Sequence, residues 1–243
     1  MERYDQSFEP AISALGPGSE APDDPAFATN GARPEALAAL QAHPRFNAAF
    51  RIAITGLVDL WQRNRLLNTV MNDRGRLLIG LYAVYLHLLS RPDDPHTGLT
   101  VSRMMALCSE QKFCSPGRAK AILMLMRVFG YLAPSPNAAD RRLRRLVPTE
   151  RLMALHRERN RRIFGATAVV MPECAEAFAA QSHPDFTALF VCRYCEQLLA
   201  GFRFINIVPD LQLFIERNAG TMILCSMLIA GDANESFPPT SPV

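Results

Sequence analysis

Apolar residues recur at three- and four-residue spacing along most of this 243-residue chain, which predicts a mainly helical protein. The clearest pair of helices lies between Leu99 and Gly130. Val101, Met104, Met105 and Cys108 mark one helix face. After QKFC the stripe restarts as Ala119, Ile122, Leu123 and Met126. Ser115 before Pro116 reads as a helix start: the serine oxygen can accept an orphan amide, and proline needs no amide donor at the first helical position. Gly130 reads as the left-handed residue that ends the second helix. Beyond it, Tyr131 and Leu132, then Leu143, Leu146 and Val147, flank a polar PSPNAAD stretch, which predicts two short strands around a polar tip.

The flanks are helical too. A helix from Pro34 breaks at Pro44. A longer one runs from Arg45 to about Val70 with Phe46, Phe50, Ile54, Leu57 and Trp61 on its apolar side. The stretch from Asp73 to about Ser90 is apolar nearly all round, which predicts a central helix. After the strands, the pattern predicts a helix from Glu150 to about Phe164 and a break over Gly165 to Pro172. Helices follow near 172–181, 184–204, 209–218 and 221–230. The longest apolar runs, Leu77 to Leu89 and Met222 to Ala230, fall short of the ~20 residues that span a bilayer, so no membrane segment is expected. The resulting division is a disordered arm (1–33), an N-terminal helical segment (34–98), a central module (99–149), a C-terminal helical segment (150–230) and a disordered tail (231–243). QAHPRFNAAF at 41–50 and QSHPDFTALF at 181–190 share Gln, His-Pro, Phe, Ala and Phe in register. This suggests one helical unit used twice, packed about a pseudo-twofold axis.

Charge sharpens the reading of the centre. The whole chain carries a net +3, yet 99–165 holds 14 Lys and Arg against 4 Asp and Glu. Arg141, Arg142, Arg144 and Arg145 fall within five residues at the expected tip. Such a run is often only a solvated face. Here it adjoins two helices joined by a short turn, and the combination is the layout of a winged-helix DNA-binding module. The six cysteines sit within apolar helical patterns, which favours reduced thiols in a cytoplasmic protein. The single CxxC at Cys192–Cys195 has no second pair at zinc spacing, and no catalytic constellation appears, so neither metal, cofactor nor enzymatic activity is expected.

At the module the residues resemble the MarR family of transcription regulators. Asp140-Arg141-Arg142 and Thr149-Glu150 stand at the family's spacing, and Gly130-Tyr131-Leu132 resembles its Gly-Leu-Val helix end. The resemblance covers roughly 73–165. It implies a winged helix in which Arg141 or Arg142 enters the minor groove, braced by Asp140, and a homodimer that reads double-stranded DNA. Ser115, Gly117, Arg118 and Lys120 would approach the major groove, while Arg141, Arg142, Arg144 and Arg145 would bind phosphates and the minor groove beside it. The chain departs from the family at Arg151-Leu152, where a glycine is usual, and in the apolar Met124, Leu125 and Val128 of the reading helix. Coverage of those three by the protein's own helices would favour a second reading, a winged-helix interaction module that has lost DNA binding. The repeat could close the family's dimer interface within one chain and give a monomer. An aromatic and Met-rich space between the flanking helices could admit a small apolar effector.

Overall fold

The computed structural model describes residues 34–63, 74–91, 94, 97–135, 145–181, 183, 185–202, 211, 214, 217 and 219–231. Among them the chain forms nine helices and one antiparallel strand pair. In order these are α1 (Pro34–Gln41), α2 (Phe46–Gln62), α3 (Arg74–Leu88), α4 (Val101–Glu110), α5 (Pro116–Val128), β1 (Leu132–Pro134), β2 (Leu146–Pro148), α6 (Glu150–Thr167), α7 (Glu173–Ala180), α8 (Phe186–Leu199) and α9 (Gly220–Ala230). The mainly helical class expected from the periodicity is what the chain adopts. The expected arm, nearly all of the tail, most of the helix expected at 209–218, and Asp140, Arg141, Arg142 and Arg144 lie outside the described residues.

α3 is the hub. Ile79, Leu81, Tyr82, Ala83 and Val84 are all but inaccessible to solvent, in line with a stripe that never turns polar. Around it pack α4, α5, β2 and α8. The core they share includes Met104 and Cys108 of α4, Ile122, Leu123 and Met126 of α5, and Val191, Cys195 and Leu198 of α8. α6 lies across α2 and α7. Two glycines permit the close approaches: a Cβ on Gly56 would stand 3.3 Å from Arg162, and one on Gly165 would stand 3.1 Å from the Phe178 ring.

Three boundaries differ from the sequence expectation. The helix expected to run from Arg45 to about Val70 ends at Gln62, with Arg63 as its C-cap. The helix expected to break at Gly165 continues to Thr167, because Gly165 gives room for α7 instead of ending α6. The helix expected to reach about 204 stops at Leu199. There Gly201 takes φ +103°, and the Phe202 and Gly201 amides donate to Gln197 (3.0 Å) and Leu198 (3.2 Å), closing the last carbonyls in a Schellman turn.

The two His-Pro segments build matching turns. Nδ1 of His43 accepts from the Arg45 amide at 3.2 Å, and Nδ1 of His183 from the Asp185 amide at 3.3 Å. The carbonyls of the same histidines accept from Phe46 and Phe186 at 2.9 and 3.2 Å. One turn further, Phe46 stacks on Phe50 at 6.1 Å and Phe186 on Phe190 at 6.3 Å. The packing is also reciprocal. α2 of the first unit rests on α9 of the second, and α8 of the second rests on α3 of the first.

Candidate nucleic-acid interface

Local chemistry sets α4 and α5 at a fixed angle. Thr100 caps α4, its Oγ1 accepting from the Arg103 amide at 3.1 Å, and the Arg103 guanidinium donates to the Gly98 carbonyl at 2.9 Å. In the turn Lys112 adopts φ +52°, and Phe113 stacks on Tyr82 of the hub helix at 5.4 Å. Cys108 and Cys114 share a hydrogen bond across this turn, and burial pushes the Cys108 thiol well above its ordinary range.

α5 opens as the sequence predicts. Ser115 Oγ accepts from the Arg118 amide at 3.3 Å and Pro116 occupies the first helical position. Ala119, Ile122, Leu123 and Met126 are buried. The opposite face is open: Ser115, Gly117, Arg118, Lys120 and Ala121 are exposed, and a Cβ on Gly117 would meet nothing within 4 Å. Met124 and Val128 continue that face at 37% and 80% exposure, while Leu125 is half-buried. The helix is therefore not enclosed on both sides. Its end is a second Schellman turn, with Gly130 at φ +72° and the Tyr131 amide donating to Met126 at 2.8 Å.

The strands leave the core from there. Leu132, Ala133 and Pro134 pair with Pro148, Val147 and Leu146, and the Ser135 amide donates to the Arg145 carbonyl at 2.9 Å. On the far side of β2, the Leu146 amide donates at 2.9 Å to the carbonyl of Leu99, two residues before α4. β2 also packs on the hub helix α3. Arg145, expected on phosphate, is half-buried, and its guanidinium donates to Ser90 Oγ and to the Asp94 carbonyl. It ties β2 to the turn after α3.

The basic residues of α6 divide into separate tasks within the protein. Arg151 donates to the Phe129 carbonyl at 2.8 Å and lies 4.9 Å from the centre of the Tyr131 ring, so its charge meets the carbonyl end of α5. Thr149 Oγ1 donates to the Gly130 carbonyl at 2.7 Å. Arg157 pairs with Glu150. Arg161 and Arg162 clamp Glu158 at 2.8 and 2.6 Å, and the Arg161 hydrogen bond, opposed by partial burial and aided by Arg162, holds its carboxyl down at about 2. Arg162 also donates to the Gly56 carbonyl of α2 at 2.6 Å.

Arg159 turns inward to Asn160 (3.3 Å) beside His156. Nε2 of His156 and Nδ2 of Asn160 have no hydrogen-bond partner among the described residues. Burial, reinforced by the Arg159 charge and opposed by a hydrogen bond to the Gly80 backbone, holds the imidazole down at about 3. Periodicity had given no sign of Thr149, Arg151 and His156 as structural residues. The one available cue was Arg151 standing three residues after β2, the partner of the strand that follows the α5 cap.

Among the described residues no helix is long and apolar enough to cross a membrane, and no group of three metal-ligating side chains gathers. Compared with protein-family models, curated proteins and solved structures, the chain matches none.

Proposed function

We propose that this chain is a DNA-binding transcriptional regulator whose reader is a winged helix made of α4, α5, β1 and β2. The observation that carries the reading is the division of α5. One face is anchored in the core, and the opposite face opens with Ser115, Gly117, Arg118 and Lys120 in solvent. Amides at a capped helix start and adjoining cations suit a phosphate-lined groove. In this reading Asp140, Arg141, Arg142 and Arg144 meet the minor groove and the backbone beside α5, and the β1–β2 pair that carries them is tied down by Leu99 and Arg145. Arg145 acts as a brace for that wing.

The test is duplex binding at roughly 50 and 200 mM salt, where contacts to several phosphates cost orders of magnitude in affinity. The Arg141→Ala/Arg142→Ala variant is expected to bind more weakly and to flatten the log–log salt slope by about 2, near one per lost phosphate contact. Absence of binding at low salt from folded protein would retire the regulator reading. The open Met124 and Val128 would then direct attention to a protein partner for the same helix face.

A further inference from the structure

We infer that this chain is its own pseudo-dimer, with α2–α3 and α8–α9 closing a twofold-like interface inside one molecule, so that one reader faces one non-palindromic DNA site. The DNA half of this inference rests on the proposed winged helix; the interface half does not.

Three independent features carry it. The sequence match at 41–50 and 181–190 is repeated in atomic detail, by the same histidine-nitrogen cap, the same carbonyl turn and the same phenylalanine stack. The packing between the two units is exchanged: α2 goes to α9 and α8 goes to α3, while neither α2 with α3 nor α8 with α9 forms a comparable contact. Mutual exchange between two like units is the geometry of an isologous dimer, in which each copy offers the partner the surface it needs from it. Finally, both exchanged surfaces are filled. Ile54 and Val58 bury against Cys225 with Met222, Leu228 and Ile229 around them. The Arg51 guanidinium donates to the Ile229 and Gly231 carbonyls at 2.9 and 3.2 Å, closing the negative end of α9. Val191, Cys195 and Leu198 are buried in the main core with α3.

The consequence follows from closure. An isologous surface already satisfied within the chain leaves no complementary copy for a second molecule. Only the first unit is followed by an α4–β2 module among the described residues, so the pseudo-dimer presents one reader where a symmetric dimer presents two. Two readers related by a dyad select palindromic half-sites, whereas one reader selects a single asymmetric site.

The experiment has two arms on the full chain. Sedimentation equilibrium is expected to give one chain, 27.0 kDa, and a Val58→Cys variant treated with a short thiol crosslinker is expected to join Cys225 within that chain. A mass of two chains, a crosslink between chains, or no crosslink at all overturns the pseudo-dimer. Selection from a random duplex pool is expected to return a non-palindromic site occupied by one chain, and a palindrome occupied by two overturns the single-reader assignment. A single-chain mass with the internal crosslink but without any duplex binding upholds the pseudo-dimer and fails the regulator reading alone.

Discussion

At Gly130 the backbone, not the surroundings, sets the requirement. Its φ is +72° and a Cβ there would touch nothing within 4 Å, so Gly130→Ala introduces only the left-handed penalty. That variant should lose about 1–2 kcal/mol in denaturant unfolding while keeping its helical circular dichroism. A loss several times larger would mean that the end of α5 is held by more than its cap. His156 makes a prediction of the opposite kind, from burial. Its folded pKa of about 3 lies below the ordinary 6.5, so the unfolded chain takes up the proton first. Stability is therefore complete above pH 6.5 and declines as pH falls toward 3, by ~1.4 kcal/mol per pH unit for this one group. Burial lowers His87 as well, so the wild-type slope between pH 7 and 5 contains both histidines. Glu158, held at about 2, adds its loss only below the ordinary 4.5. His156→Gln should be less stable at pH 7 but flatter by ~1.4 kcal/mol per pH unit between pH 6.5 and 5, and an unchanged slope would refute the assignment.

The helices α2 and α6 show how side chains of one element fix another. Arg162 reaches the Gly56 carbonyl at 2.6 Å, and Gly56 admits the arginine stem because it has no Cβ. Removing the guanidinium leaves that carbonyl and Glu158 with fewer donors. Arg162→Ala should cost about 1.5–3 kcal/mol, the range for a hydrogen bond to a charged group, as measured by urea unfolding. Hydrogen exchange should rise in α2 and leave α5 protected; equal loosening of α5 would argue against a local brace. The same element accounts for one limit of sequence reading. Arg151, Arg157, Arg159, Arg161 and Arg162 look alike in sequence, yet one caps a neighbouring helix, one lies buried and three pair with carboxylates. The carboxylate pairs lie within α6 and follow its helical spacing, whereas the Arg151 and Arg162 bonds to the Phe129 and Gly56 carbonyls are set by the elements packed beside it.

For the molecule as a whole, net charge is a poor guide. The global +3 conceals a basic centre, and within that centre the α6 arginines and Arg145 are already engaged by the protein. In the proposed reading the wing arginines meet the nucleic acid, which is why the Arg141 and Arg142 substitutions should dominate the salt slope. The pairing of α2 with α9 and of α8 with α3 likewise belongs to the whole molecule. It joins segments far apart in sequence, and it decides whether one reader or two meet the DNA.

The sequence by itself determined what depends on near neighbours. The starts of α4 and α5, the glycine end of α5, the all-apolar hub and the matching His-Pro turns follow from caps, backbone preference and periodicity, which act over a few residues. Gly201 carried a helix-end signal of the same kind as Gly130, but an apolar pattern that runs past it hid the stop. The tertiary structure alone decided that Gly165 lies within a helix, that Arg145 faces inward, that Met124 and Val128 stay open, and that the two helical units exchange partners. Each of these depends on what another segment places within a few ångströms, and the free energy of such a contact is absent from either segment taken alone.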